Sequence, residues 1–334
     1  MNDVEKLVSY NNIRAYLSEA DQKDLIEKLG LDSQNLTPRL RGLNTESEFF
    51  LILHSLECCK HILSFDESTS VLTGSYSPDT LVVLKESEKK ILVEIKSKEE
   101  LKYKISGGNL QNRIDFADEF GYPLYFAVKL DGYWGLYHSD YLKSKGGKLE
   151  AVDLINSDFE EVFSCPLLIF PKGIKVVSTY SKHSASEALV GIKHPDYGNL
   201  IKYEFFFGSN LIFKSDDTSM ESKRLAINSI VLENLHDTMS NQSQKVDTVD
   251  SNTTTVTEEL IENTFFYEYY FLLSHIKHTV TQLDSTYDMT TYFKDLVQER
   301  GNSSINKKLL DSVIAFMIKN GLPIKKSSLK KANE

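Results

Sequence analysis

The stretch from Pro78 to Lys98 constrains the fold more than any other, because it predicts a β-hairpin with charged side chains. Thr80 to Glu86 is apolar and rich in β-branched residues, as strands are. Ser87 to Lys90 is a polar turn, and the pattern of a strand resumes from Ile91 to Lys98. The chain is therefore expected to contain antiparallel sheet at this position.

The expected pairing of this hairpin brings three charged side chains together. A turn centred between Ser87 and Glu88 places Asp79 opposite Lys96 and Glu94 opposite Leu81. Because alternate residues of a strand share a face, Asp79, Glu94 and Lys96 should project from the same side of the sheet. Two neighbouring carboxylates form a hard-oxygen site for Mg²⁺ or Mn²⁺. A lysine beside such an ion can orient water or stabilise charge on a phosphate.

The motif Pro78-Asp79, followed by Glu94-Ile95-Lys96, resembles that of the PD-(D/E)XK nucleases, which share the restriction-endonuclease-like fold. The resemblance implies that Asp79 and Glu94 bind Mg²⁺ (or Mn²⁺) and that the carbonyl of Ile95 adds a ligand. It also implies that Lys96 helps to activate the water that attacks a phosphodiester.

The elements around the hairpin match the αβββαβ core of that fold, in an α+β or α/β protein. A helix is predicted from Thr45 to Leu63 and another from Asn109 to Phe120. A strand is expected around Ser70 to Thr73, before the hairpin. Two further strands, Leu124 to Leu130 and Tyr133 to His138, flank an Asp-Gly turn.

Two further residues are candidates for the site because of where this family carries accessory groups. Glu48, on the helix before the hairpin, is the first choice for an additional acid, and Glu46 is the second. The alternative for Glu48 is a capping box with Thr45. Gln111, on the helix after the hairpin, is predicted to face the site, and its alternative is an exposed helical glutamine.

A basic cluster follows the motif and is predicted to contact nucleic acid. The net charge of −10 argues against a protein that binds DNA over its whole surface, but it leaves room for a local basic groove. The alternative is solvated surface charge. The cluster consists of Lys98, Lys102, Lys104 and Arg113.

The rest of the chain divides by composition. A helical segment is expected at 1–42, the nuclease-like domain at 43–180, and a β-rich extension that ends in a helix at 181–239. The polar segment 240–257 has the composition of a flexible linker. Residues 258–334 are predicted to form a helical module, either a dimerisation bundle or a nucleic-acid reader.

The cysteines and the hydropathy indicate a cytoplasmic protein. Cys58, Cys59 and Cys165 form no CxxC pair, and the adjacent Cys58 and Cys59 are expected to be buried free thiols. No run of eighteen apolar residues indicates a membrane span, and the first residues do not resemble a secretory signal.

The sequence thus favours a Mg²⁺-dependent deoxyribonuclease, most simply a restriction or phage-defence enzyme. Recombination or repair is the second biological role considered, and RNA remains an alternative substrate. A homodimer would suit double-strand cutting by one site per chain. Two other hypotheses stay open: a non-catalytic binding or assembly subunit with the same fold, and an accidental motif in which Glu94 and Lys96 belong to a surface charge ladder.

Overall fold

The structure is a computed structural model, and it divides into two units. It describes residues 17–31, 33–65, 77–183, 193–215, 243–281 and 289–298, with residues 6, 9, 10, 13 and 14 near the start and 311, 312, 314, 315, 318, 319, 324 and 325 near the end. The first unit comprises 1–165 and 276–303, and the second comprises 166–275 and 304–334. Among the described residues, no helix has the length and apolarity that a membrane span requires.

Helices and strands are both present, as predicted for a mixed α/β protein. In chain order the elements are α1 (Glu19–Leu29), α2 (Ser33–Ser55), β1 (Cys59–Ser64), β2 (Thr80–Leu84), β3 (Lys90–Lys98), β4 (Lys102–Lys104), α3 (Gly107–Phe120), β5 (Leu124–Leu130), β6 (Tyr133–His138), α4 (Ser139–Ser144), β7 (Lys148–Glu150), a 3₁₀ helix (Ala151–Asn156), α5 (Phe159–Phe163), β8 (Leu167–Phe170), β9 (Ile174–Ser181), β10 (Lys193–His194), β11 (Gly198–Phe207), β12 (Asn210–Lys214), β13 (Gln244–Thr248), β14 (Thr253–Glu259), β15 (Thr264–Tyr267), α6 (Glu268–Thr281), α7 (Met289–Gln298) and β16 (Ile324–Lys325).

The first unit is built on a five-stranded sheet in the order β1-β2-β3-β5-β6. All neighbouring pairs are antiparallel except β3 and β5, which are parallel and joined through α3. A parallel pair needs a crossover connection, and α3 supplies it. Leu110 and Ala117 of α3 pack in one apolar cluster with Phe126 and Val128 of β5. The face of the sheet that carries Phe126 is therefore the face that α3 covers.

The predicted hairpin forms, but its register differs by two residues. Leu81 pairs with Leu92 rather than with Glu94, and Thr80 pairs with Val93. Glu88 adopts a positive φ of 52° in the turn. Because side chains alternate with a period of two, a shift of two positions leaves every side chain on its predicted face.

The helix before the hairpin differs at both ends from its prediction. α2 covers Ser33–Ser55, so Thr45 lies inside the helix rather than at its N-cap. The helix stops before Cys59–Ser64, which forms the edge strand β1 and pairs with β2. Cys58 and Cys59 are half-buried free thiols, and Cys165 is a buried one. The strand expected around Ser70 to Thr73 lies outside the described residues.

The second unit contains a six-stranded antiparallel sheet where a linker was predicted. Its order is β10-β11-β9-β14-β13, with β12 on the outer side of β11. β13 and β14 lie in and just beyond the segment 240–257, so the linker prediction was wrong there. Thr254, Val256 and Glu258 are buried while their neighbours are not, which is the alternation of a strand with one covered face.

Two other predictions in this region also differ from the structure. The helix expected from residue 258 begins at Glu268, after the strand β15. β8, which lies within the predicted nuclease-like range 43–180, pairs with β15 and β16 and not with the five-stranded sheet. The structural division therefore falls at residue 165 rather than 180. The helix predicted at 220–239 lies outside the described residues.

Replacing Gly147 with alanine should destabilise the small β4–β7 sheet more than the same change at Gly146. Both residues have positive φ, 64° at Gly146 and 76° at Gly147, where an L-residue costs about 1–2 kcal/mol. A Cβ at Gly147 would also collide with the backbone oxygen of Ile105, whereas a Cβ at Gly146 meets open space. We expect Gly147→Ala to cost about 1–3 kcal/mol more. Hydrogen exchange of the β4 amides measures the stability of this sheet in both variants. Equal protection in Gly146→Ala and Gly147→Ala would show that the predicted collision has no effect.

Candidate active site

The structure brings Asp79, Glu94 and Lys96 together at the hairpin. The Nζ atom of Lys96 lies 2.8 Å from Oε1 of Glu94 and 3.5 Å from Oδ2 of Asp79. The backbone N–H of Ile95 donates to Oδ2 of Asp79 at 2.5 Å, which fixes this carboxylate at the entry to β2. The three groups form one cluster, on the side of the sheet that α3 covers.

Glu94 is the most deeply buried member of this cluster. Its side chain is 1 % exposed, whereas that of Lys96 is 34 % exposed, so the site opens toward solvent on the side of the lysine. Burial of a carboxylate is costly unless cations or hydrogen bonds compensate it. Lys96 supplies one cation, and Arg113 of α3 supplies a second through Nε at 3.1 Å and Nη2 at 3.0 Å from Oε1 of Glu94. A solvent-exposed charge ladder, the accidental-motif hypothesis, does not describe this arrangement.

The donor atoms fit a divalent metal ion. Oε2 of Glu94 is buried and, in the described part of the chain, has no hydrogen-bond partner. The side-chain contacts of Asp79 both use Oδ2, which leaves Oδ1 for an ion. These are hard oxygen donors, and Mg²⁺ keeps several waters when one or two carboxylates bind it. No group of three acidic, histidine or cysteine ligands occurs within the described ranges. The carbonyl of Ile95 remains a predicted additional ligand.

The electrostatics of the cluster hold Lys96 in its charged form. Burial favours the neutral amine, but the carboxylates of Asp79 and Glu94 outweigh it and raise the pKa of Lys96 to about 12. Tyr103 of β4 lies close enough to interact with the same charges. Burial is the main cause that raises the pKa of Tyr103 to about 12. The site thus contains a cationic lysine and a neutral phenol at neutral pH.

Glu48 does not join this cluster. Its Oε1 accepts hydrogen bonds from Nε1 of Trp134 at 2.8 Å and from Lys129 at 2.6 Å. Lys129 lies three positions after Phe126 on β5, so its side chain is on the opposite face of the sheet from Glu94. The structure therefore places Glu48 apart from the cluster that the sequence predicted it to join as the accessory acid. Glu46, the second choice, is half-buried on the same helix.

Gln111 also points away from the site. It is exposed, its Nε2 donates to Asp115 at 2.7 Å, and its Oε1 accepts from Lys143 at 3.3 Å. The residue of α3 that faces Glu94 is Arg113, which was predicted to contact nucleic acid. The helical face thus turns Gln111 to solvent and Arg113 to Glu94, and contact of Arg113 with nucleic acid stays a prediction.

The predicted basic residues other than Arg113 are on the surface. Lys98, Lys102 and Lys104 are all exposed, and Lys102 forms an exposed ion pair with Glu150 at 3.0 Å. Lys104 pairs in register with Lys148 of β7, which the sequence reasoning did not select. Their roles in binding remain predictions.

Sequence reasoning missed two residues of the site, Arg113 as a partner of Glu94 and Tyr103. A signal for Arg113 was present, since it lies three residues after Leu110 and four before Ala117. Those spacings place it on the buried face of the helix. β4 has only three residues, too few to show an alternation that would identify Tyr103.

The two buried acids should respond differently to substitution. We expect Glu94→Gln to abolish stabilisation of the protein by Mn²⁺, because it removes a charged ligand. Glu48→Gln should lower the free energy of unfolding by roughly 3 kcal/mol, since Lys129 loses its charged partner. It should nevertheless keep the Mn²⁺ effect, about 2.7 kcal/mol at 100 times Kd. Thermal unfolding with and without Mn²⁺ measures both, and loss of the Mn²⁺ effect in Glu48→Gln would restore Glu48 to the site.

Comparisons with known proteins find similarity over part of the chain. Residues 67–167 match the family model of archaeal Holliday junction resolvase (Hjc). A solved structure of Hjc from the hyperthermophile Archaeoglobus fulgidus is 18 % identical, and the alignment covers 34 % of this chain and 93 % of that one with a TM-score of 0.28. None of the curated proteins compared matches this chain. Residues 67–167, which contain Asp79, Glu94 and Lys96, are thus similar to a family of nucleases within the PD-(D/E)XK, restriction-endonuclease-like superfamily.

Proposed function

We propose that this chain is a metal-dependent endonuclease that cuts branched DNA, such as a four-way junction, during recombination or repair. The observation that carries the proposal is the buried Oε2 of Glu94, which has no hydrogen-bond partner in the described region and lies beside Asp79 and Lys96. The match of residues 67–167 to a junction-resolvase family favours branched DNA over the restriction or phage-defence role predicted first. We also propose Asp79, Glu94 and Lys96 as its catalytic residues.

The chemistry assigned to each residue follows from its position. A divalent ion bound by Asp79 and Glu94 would supply positive charge to the phosphate and to the attacking water. Lys96 projects a charged amine from the same cluster, where it can donate to a phosphate oxygen as negative charge develops. The hydrogen bond from the Ile95 N–H keeps the carboxylate of Asp79 in place, so that little reorganisation is needed when substrate binds.

The β4–β7 sheet offers a surface for the DNA backbone. Lys104 and Lys148 stand directly opposite each other and are both exposed, and like charges in such a pair destabilise a sheet. A phosphate between them would relieve this repulsion. Tyr103, between the basic side chains of β4, is turned inward and interacts with the charges of the cluster. Because alternate residues of a strand project to opposite faces, Lys104 and Lys148 extend from the outer face of a small sheet whose inner face adjoins the cluster.

A four-way junction requires two cuts on strands of like polarity. One active site per chain then calls for two chains, so the proposal includes a homodimer. The cytoplasmic location predicted from the cysteines is compatible with action on DNA and is kept as part of the proposal.

Cleavage of synthetic DNA tests the proposal. We expect Mg²⁺- or Mn²⁺-dependent cutting of a four-way junction, no cutting in EDTA, and much slower cutting of a linear duplex of the same sequence. Lys96→Gln should reduce the rate by about 100-fold or more, since one donor to the developing charge is lost. Asp79→Asn should abolish cutting altogether. Lys89→Gln, a change in the turn at the other end of the hairpin, serves as the matched control and should cut at the wild-type rate.

Other outcomes of this assay point to the alternatives. Preferential cutting of unbranched duplex at defined sequences would favour restriction or defence. Tight junction binding without cutting in any metal would favour the non-catalytic assembly subunit. Cutting that survives in both Asp79→Asn and Lys96→Gln would indicate a contaminating nuclease and contradict the assigned site.

The proposed backbone contacts predict a change in salt dependence. We expect Lys104→Gln and Lys148→Gln each to weaken junction binding on all sequences and to reduce the log–log salt slope by about 1. Lys89→Gln removes the same charge from an exposed turn and should leave the slope unchanged. Fluorescence anisotropy in Ca²⁺ across a series of salt concentrations gives the slopes. Equal slopes for all four proteins would remove Lys104 and Lys148 from the DNA surface.

A further inference from the structure

The two oxygens of Glu94 have unequal surroundings. Oε1 accepts from three donor atoms: Nζ of Lys96 at 2.8 Å, Nη2 of Arg113 at 3.0 Å and Nε of Arg113 at 3.1 Å. Oε2 is equally buried and accepts from none of the described residues. An oxygen with three donors has no lone pair left for a metal ion. Only one side of this carboxylate is therefore open to a ligand.

Arg113 is a fixed rather than a mobile cation. Its Nη1 donates to the carbonyl of Asn109, one turn earlier in α3, at 3.1 Å. Its side chain is only 15 % exposed, and a guanidinium stays protonated in proteins. A permanent positive charge thus lies about 3 Å from Oε1 of the carboxylate.

A second metal ion would need the position that Arg113 fills. In two-metal sites the ions lie about 3.5–4 Å apart and commonly share a carboxylate. Here the shared ligand would be Glu94, whose Oε1 is already saturated. Further acidic ligands are also lacking in the described residues, because Glu48 lies on the opposite face and no three-ligand group occurs.

We propose that Arg113 replaces a second metal ion, so that each active site binds one divalent ion, through Asp79 and Oε2 of Glu94. Arg113 is a positioning residue in this arrangement: it holds Oε1 and leaves Oε2 directed at the single ion. The inference rests on the metal site of the proposed function. It concerns the number of metal ions bound per chain, which can be measured without DNA.

The test is the stoichiometry of Mn²⁺ binding to the full chain, measured by electron paramagnetic resonance and by calorimetry. We expect one ion per chain in the wild-type protein and in Arg113→Lys, which keeps the charge. We expect a second, weaker ion in Arg113→Gln, because the excluding charge is gone and Oε1 keeps only its contact with Lys96. Lys143→Gln, the control, removes one positive charge from a lysine that contacts Gln111 on the exposed side of α3. This variant should still bind one Mn²⁺ ion per chain.

Each of the possible stoichiometries either supports or overturns the proposal. Two ions per wild-type chain, or one ion with unchanged affinity in Arg113→Gln, would overturn the proposal. If Arg113→Gln does not fold, as judged by circular dichroism, the wild-type and Arg113→Lys stoichiometries decide it: one ion in both supports it, and two in either overturns it. One bound ion per chain without DNA cleavage would support this inference and refute the nuclease function. Two bound ions with DNA cleavage would refute this inference and support the nuclease function.

Discussion

The buried carboxylate of Glu94 is the group on which the rest of the site depends. It lies in β3, a central strand of the five-stranded sheet, where an unpaired charge would be too costly to keep. Lys96 on the same strand and Arg113 on α3 compensate that charge. The packing of α3 on the sheet therefore positions Arg113 beside Glu94. The ion pair between Arg113 and Glu94 in turn holds α3 against the sheet.

The parallel pairing of β3 with β5 explains why a helix supplies the second cation. A parallel connection must cross over one face of the sheet, and α3 is that connection. It begins at the Ser106 N-cap and ends at Gly121 in the left-handed conformation, with Leu110 and Ala117 buried against β5. Arg113 shares that buried face, so topology alone brings it to the face of β3 that carries Glu94.

The shared face of Asp79, Glu94 and Lys96 could be predicted from sequence, but the faces of Glu48 and Gln111 and the ends of several elements could not. The hairpin register was wrong by two positions without consequence, because the strand period is two. The apolar run through Cys59–Ser64 suits a helix or a strand equally, and its pairing with β2 is a tertiary effect. Polar composition suggested a linker at 240–257, where Thr-Val alternation and pairing with β9 produce strands instead.

The two glutamates that are buried among the described residues of the first unit differ in the surroundings of one carboxylate oxygen. Glu48 and Glu94 lie against opposite faces of the same sheet, and each is compensated by a lysine. Burial and ion pairing therefore do not distinguish them. The difference lies in the second oxygen, because Oε2 of Glu94 is the one carboxylate oxygen in the described part of the chain that is buried without a hydrogen-bond partner. Folding stability alone would favour filling that position, since a buried acceptor left unsatisfied costs about 1–3 kcal/mol. A divalent ion bound at Oε2, as proposed above, would remove that cost.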